Sequence, residues 1–413
     1  MANTIKLGNG NWATKEGSLL AYNDENNNFK PLPFTTTRAS SATVVNKQGL
    51  IETVGSGIPR IDFSDDANGA LLLEPTSTNL VTYSEDFSNA VWGTWQLTKT
   101  LSNNINPKGT NGYYEISHTG NSSDNPNTRL ENVSLNGSYT LSFFVKINQS
   151  RYISLSIEDY DGDRARVYFD TINKTFTTIS NVGSPITNTS YSEFSNGWIR
   201  ISLSVNLLNA VYNEVGIGIY NPSGSFPSAS GEVISVFAGQ LEQGNASSYI
   251  PTQGTTQTRS ADTASGSGNS TVINSTQGTL YAEISALGGI SNRYISLSDG
   301  TTQNRVSIFY YSVSNRIRTI ISSGGVNVVD LSFLVTSELD FHKVAVKYNL
   351  NDFSLWIDSV EVGTDALGVV PIGLSDLSFS DGSGSNNFKG KTKSVQVYTT
   401  ALSDAELTTL TTI

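Results

Sequence analysis

Residues that could carry chemistry are sparse. The 413-residue chain has two histidines, His118 and His342, and no cysteine. Without thiolates and with its imidazoles far apart, it lacks the ligands of an ordinary zinc site. A Ser-His-Asp triad would need one of these histidines together with a G-x-S-x-G-type nucleophile turn, and no such context is present. The 36 acidic residues offer many carboxylate pairs for glycoside hydrolysis, but their spacing singles out none. Asp159-Tyr160-Asp161-Gly162-Asp163 resembles a calcium loop in composition only. Such a loop needs glycine at its sixth position and glutamate at its twelfth; here glycine is fourth and Asp170 is twelfth, so the segment reads as a hairpin turn. The aromatic residues remain. A sugar presents C–H faces that stack on aromatic rings, while its hydroxyls take Asn, Asp and Arg. Trp92, Trp95, Tyr113, Tyr114, Tyr160, Tyr294, Tyr310 and Tyr311 are the glycan-binding candidates. Tyr310 and Tyr311 are neighbours on a strand and must point to opposite faces. Trp92 and Trp95 lie three apart in a glycine-containing segment, so at least one is expected at the surface. Trp198 and Trp356 lead into or sit on alternating strands and are expected in the core.

The elements that must position these residues are strands. Arg151–Asp170 alternates Ile153, Leu155, Ile157 on one arm and Ala165, Val167, Phe169 on the other, around Asp161-Gly162. Further alternating runs at 139–145, 175–179, 198–205, 215–220 and 233–241 make residues 76–255 one jelly-roll-type β-sandwich. Residues 273–413 form a second, with a clean hairpin over 342–362. Ser403-Asp404-Ala405-Glu406 is a capping box, and the helix that follows it over 406–410 is the single helix expected. Residues 256–272 are poor in apolar side chains and read as a linker. Residues 1–75 show little periodicity; a hairpin at 42–54 with Gly49 in its turn is the clearest element. This segment cannot bury much alone and is expected to pack on a partner, a sister subunit or the next domain. The fold class expected is therefore all-β: an N-terminal attachment segment (1–75), two antiparallel jelly-roll sandwiches and one short C-terminal helix.

Composition narrows the function. The net charge is −11 with no Lys/Arg cluster, which argues against nucleic acid. No run approaches the length of a membrane span, and the N-terminus has no signal-peptide pattern. The expectation is a chain made in the cytoplasm, without membrane insertion.

Three stretches carry a resemblance. Phe34–Ile51 with Pro59–Phe87 (FTTTRASSATVVNKQGLI, PRIDF, GALLLEPTSTNLVTYSEDFS) resembles a segment common in bacteriophage tail and virion structural proteins. Phe237–Asp262 (FAGQLEQGNASSYIPTQGTTQTRSAD) resembles the matching exit segment. The domain between them resembles a galactose-binding-like or carbohydrate-binding-module jelly roll. Gly390–Leu410 with His342–Gly363 resembles the closing part of a concanavalin-like or laminin-G-like sandwich, where a histidine at the position of His342 is structural. The resemblance implies a non-enzymatic virion appendage on a tail or head, often trimeric. Residues 1–75 would contact other virion proteins, and the sandwiches would bind host surface polysaccharide. It also implies a structural Ca²⁺ site where first and last strands of the first sandwich meet, with Glu85, Asp86 and Glu242 as candidate ligands and no other cofactor. The alternatives are a decoration protein without ligand and a polysaccharide-degrading tailspike-type enzyme. The latter usually needs a long parallel β-helix, and no coil repeat is present.

Overall fold

The structure, a computed structural model, describes residues 4–15, 17–23, 30–119, 126–146, 151–159, 164–183, 186–207, 213–220, 222, 232–288, 291–313 and 315–413. Every strand ladder is antiparallel, and the helix Asp404–Leu410 is the single α-helix among the described residues. The fold is all-β. No helix among the described residues is long and apolar enough to cross a membrane. The helix starts with the expected capping box, Ser403 as N-cap and Glu406 three residues on. The Ser403 hydroxyl and backbone N–H both donate to the Glu406 carboxylate, at 2.8 and 2.9 Å, which holds its pKa below the usual glutamate range.

The chain divides into two units. The first comprises residues 1–41, 54–76 and 260–413; the second comprises 42–53 and 77–259. This corrects the expectation of a separate attachment segment over 1–75. In the first unit, Ile5–Gly8 and Ala70–Leu73 both pair with Gly390–Tyr398, placing Ile5 opposite Val397 and Leu73 opposite Gly390. The reason is burial. Ile5, Leu7, Leu71 and Leu73 join the same apolar core as Leu280, Ile295, Ile308, Val346 and Val397. The expected linker 256–272 also differs. It holds two short strands, Gln257–Arg259 paired with Ser77–Asn79 in the second unit and Thr263–Ser265 paired with Thr35–Thr37 in the first.

Four side chains far apart in sequence, Arg38, Arg60, Glu74 and Asp262, converge in the first unit. Asp262 Oδ1 accepts from Arg38 Nη1 at 2.9 Å, and Asp262 Oδ2 accepts from Arg60 Nη2. Glu74 accepts from Arg60 Nη1 at 2.6 Å. All four side chains are buried. Burial works against the Arg60 charge, yet Glu74 and Asp262 outweigh it and hold its pKa above the ordinary value.

The second unit is a sandwich of two six-stranded sheets. One runs Trp92–Trp95, Asn127–Val133, Asn213–Ile219, Tyr152–Asp159, Arg164–Asp170, Thr175–Val182. The other runs Leu97–Ile105, Asn111–His118, Val233–Gln243, Gly137–Lys146, Trp198–Leu207, Ile186–Glu193. Alternation explains the core: Ile153, Leu155, Ile157, Val167, Phe169, Val215, Ile217 and Ile219 of the first sheet meet Phe143, Val145, Ile201, Leu203 and Val205 of the second. The turn at Asp161-Gly162 lies outside the described residues.

Candidate glycan-binding face

The sandwich of the second unit has two outer faces, and one of them is covered by its own chain. Outside the second sheet, Tyr113, Phe144, Trp198 and Phe237 form an apolar cluster with Ile51 of the 42–54 hairpin and Tyr249 of the exit segment. Tyr113 meets Trp198 edge-on at 5.1 Å, and Phe144 meets Tyr249 at 5.9 Å. Thr43 Oγ1 donates to the Tyr249 carbonyl at 2.5 Å, fixing the hairpin over the sheet. Burial pushes the Tyr249 hydroxyl well above its usual pKa, with the nearby Glu85 charge adding to the shift. The 42–54 hairpin and the segment around Tyr249 therefore seal this face.

The outer face of the first sheet is open. Side chains opposite in sequence parity to the core residues lie on it. One row crosses five strands: Trp95, Asn127, Gly218, Ser154 and Tyr168, each the register partner of the next. A parallel row runs Gly93, Arg129, Gly216, Ser156 and Arg166. Trp95, 47% exposed, stands at one edge. The chain turns there, because Gln96 has φ 53° and sends the next strand into the other sheet. At the far side Tyr168 stacks on Tyr220 with ring centroids 4.8 Å apart and planes 19° from parallel. Tyr152 meets Tyr168 edge-on at 5.3 Å. Between these aromatic ends the floor carries glycine and serine. A Cβ on Gly218 would lie 2.4 Å from the Pro126 carbonyl oxygen and 3.1 Å from Ser154 Oγ; one on Gly216 would lie 2.7 Å from the Thr128 carbonyl oxygen. The neighbouring strand approaches too closely for any side chain there, and the centre of the sheet stays low.

Three carboxylates on this face are each matched to a guanidinium. Arg129 bridges Glu214 at 2.8 Å and Glu131 at 3.0 Å. Glu158 takes Arg166, with Arg164 at 3.6 Å. Glu158 and Glu214 are cross-strand partners. Burial, opposed by Arg129 and reinforced by the charges of Glu131 and Glu158, raises the Glu214 pKa above the usual carboxylate value.

The sequence-derived aromatic candidates separate sharply. Trp95 is on the open face. Trp92 is core: it stacks on Phe87 at 4.7 Å and its indole N–H donates to the Tyr83 carbonyl at 2.8 Å. Tyr113 lies beneath the sealed face, and Tyr114 is buried with its hydroxyl donating to Asp86 at 2.9 Å. Tyr160 lies outside the described residues. In the first unit, Tyr310 is fully buried and donates to the Ile284 carbonyl at 3.0 Å. Tyr294 is stacked on Phe309 at 4.0 Å beneath the Arg305 guanidinium, 5.3 Å from its ring. Tyr311 is half-buried, with Arg318 over its ring at 4.9 Å. This second aromatic ladder is filled by its own arginines. Trp92, Tyr113, Tyr294 and Tyr310 are thus corrected from binding candidates to packed residues, because each ring is buried.

The candidate calcium ligands do not converge. Glu85 takes Lys108 Nζ at 3.1 Å and the Tyr249 hydroxyl at 2.9 Å. Asp86 accepts from Ser88 and Tyr114, and the Ser88 hydroxyl foremost lowers its pKa. Glu242 is fully buried and accepts from Ser77 Oγ at 2.6 Å, from the Ser247 backbone N–H at 3.0 Å and from the Ser247 hydroxyl. A carboxylate ringed by donors has no lone pair directed at a cation, so this donor set does not fit Ca²⁺. Among the described residues no three His, Cys, Asp or Glu side chains gather as a metal site. His342 is held by Asp358 at 2.6 Å and the Ser337 carbonyl at 2.9 Å, a structural bracing.

Sequence reasoning missed Tyr152, Tyr168 and Tyr220. A signal was present. Gly216-Ile217-Gly218-Ile219-Tyr220 alternates glycine outward with isoleucine inward, which marks a close approach to the strand's outer side.

No family model matches the chain, and no curated protein sequence does. Among solved structures it is similar to the Ruminococcus gnavus IT-sialidase CBM40 bound to α2,6-sialyllactose, at 18% identity and TM-score 0.30, over 36% of this chain and 93% of that one. It is similar to mouse laminin α1 chain domains LG4-5, at 8% identity and TM-score 0.24, over 65% of this chain and 86% of that one. It is similar to Trypanosoma rangeli sialidase, at 10% identity and TM-score 0.27, over 95% of this chain and 81% of that one.

Proposed function

We propose that the protein is a non-enzymatic glycan-binding protein whose binding surface is the outer face of the Trp92–Trp95 sheet. The observation that carries this reading is the row Trp95–Asn127–Gly218–Ser154–Tyr168. It sets aromatic platforms at either side of a low, polar floor, the combination that stacks on sugar rings while hydrogen-bonding their hydroxyls. The resemblance of residues 34–87 and 237–262 to phage virion proteins supports placing it on a virion appendage that meets host surface polysaccharide. Several copies, as in a trimer, would raise weak single-site affinity by avidity. An array of bacterial surface polysaccharides probed with the full chain tests the reading. Binding that is lost in the Trp95→Ala/Tyr168→Ala double variant is expected; an array without signal at millimolar sugar refutes it.

One observation favours a second reading. Glu158 and Glu214 face each other across adjacent strands, and the Glu214 pKa is raised. A pair of facing carboxylates, one of them with a raised pKa, is what a glycoside hydrolase uses. Both are held by arginines, which favours a structural role. Release of reducing ends from a bound polysaccharide, abolished by Glu214→Gln, would establish hydrolysis in place of binding alone.

A further inference from the structure

We infer that the ligand of this face is a neutral oligosaccharide lying across the strands, spanning from Trp95 to the Tyr152–Tyr168–Tyr220 cluster. The inference rests on the glycan-binding reading and adds the chemical class, direction and length of the ligand.

Direction follows from the register. Trp95 and Tyr168 lie on the first and fifth strands of the sheet order and share one row. Four inter-strand spacings separate them by about 19 Å, roughly one hexose per spacing. Along the strand direction there is no comparable path. Gly218 is flanked two residues away by Gly216, and beyond it Glu214 pairs with Arg129 and closes that side. In the other direction Tyr220 stacks on Tyr168 and closes the opposite side. The low channel between these two walls runs across the sheet.

Chemical class follows from charge. Among the described residues of this outer face, three guanidiniums (Arg129, Arg164, Arg166) meet three carboxylates (Glu131, Glu158, Glu214). At the Tyr152 end, Arg151 is engaged by Asp170 at 2.8 Å. Each cation has a protein carboxylate within ion-pair distance, Arg164 the most loosely, at 3.6 Å with its side chain 54% exposed. Recognition of a sialic acid, uronic acid or sulfated sugar needs a guanidinium or ammonium with an open fork toward the ligand. Such a ligand would instead meet Glu131, Glu158 and Glu214 at close range, on a chain whose net charge is −11. Engaged Arg–Glu pairs still offer outward N–H donors and carboxylate acceptors to sugar hydroxyls, which carry no charge.

The test is a binding titration of the full chain against neutral oligosaccharides of two to six hexoses and against carboxylated and sulfated oligosaccharides of the same lengths. Each is measured at about 0.05 M and about 0.5 M salt, a range that screens ionic contacts strongly. The expected result is binding of a neutral series with affinity rising up to about four rings and then levelling. It is insensitive to salt and falls at least tenfold in Tyr168→Ala and in Trp95→Ala. Glu214→Gln, which leaves Arg129 with one carboxylate partner fewer, should add weak, salt-sensitive affinity for the anionic series. A preference for anionic sugars that fades with salt would overturn the neutral-ligand inference while leaving the glycan-binding reading intact, provided Tyr168→Ala still abolishes it. Neutral binding untouched by both aromatic variants would overturn the location. An absence of binding in both series would overturn the inference and the reading together.

Discussion

Replacing Asp262 by alanine probes the buried cluster that joins Arg38, Arg60 and Glu74 within the first unit. Asp262 joins Arg38 and Arg60, and its Oδ2 also accepts the Glu74 backbone N–H at 2.9 Å. Its removal takes a carboxylate from two buried guanidiniums: Arg60 keeps Glu74, and Arg38 keeps the Ser40, Gly55 and Ile58 carbonyl oxygens. Breaking a buried ion pair by deleting one partner costs about 3–5 kcal/mol, because the remaining charge is uncompensated. Losing the acceptor of the Glu74 backbone N–H adds about 1 kcal/mol or more. With the total at about 4–6 kcal/mol, and about 2–4 °C lost per kcal/mol in a unit of this size, the first unit's melting transition should fall by roughly 8–24 °C. Asp330→Ala is the matched control. Asp330 pairs with Arg318 at the surface and its side chain is 45% exposed, so its loss should cost no more than about 1 kcal/mol. Differential scanning calorimetry of both variants gives the answer. If Asp262→Ala lowers the transition no more than Asp330→Ala does, the buried cluster does not stabilise the first unit and the reasoning fails.

Other substitutions separate packing from recognition. Trp92→Ala empties a core site beside Phe87 and Phe143 and should destabilise the second unit by about 3–5 kcal/mol in urea unfolding, whereas Trp95→Ala should leave stability nearly unchanged. Gly218→Ala places a methyl 2.4 Å from the Pro126 carbonyl oxygen; a cost of about 1–3 kcal/mol is expected from the forced strand shift, read by the same unfolding curves. Asp170 titrates at about 2, chiefly because Arg151 hydrogen-bonds it, with the Ile172 and Asn173 amides adding to the shift. Its folded pKa lies below the unfolded value of about 3.9, so its contribution to stability is present above that value and is lost as pH falls toward 2. Carboxyl NMR of the folded protein should show this low midpoint, and Arg151→Ala should raise it.

The all-β class was legible because alternation is local: each hairpin arm displays its inward residues within a few positions. Gly49, at φ 73°, sits in the 42–54 hairpin turn where a left-handed residue is needed. The division of the chain was not legible. Ile5–Gly8 is four residues long, and its strand partner lies near residue 395. No window of sequence contains both halves of that pairing. The same holds for Arg38, Arg60, Glu74 and Asp262, each of which is an isolated charge in sequence and a neighbour in space. Aromatic identity alone was a poor guide to the site. Trp92 and Trp95 differ by three positions, which on a strand reverses the face, and only the register with Leu130 and Asn127 decides which one is inward. Tyr168 was hidden in plain view within RARVYFD, where the inward Ala165, Val167 and Phe169 define the strand and the outward residues define its use.

The central claim is that sugars bind on the open face between Trp95 and Tyr168. It is tested most directly by diffraction from crystals of the full chain soaked with a neutral oligosaccharide. The account predicts sugar rings stacked on Trp95 and on the Tyr168–Tyr220 pair, with the chain of rings crossing above Gly218 and Ser154. Sugar bound elsewhere, with this face empty, would contradict it.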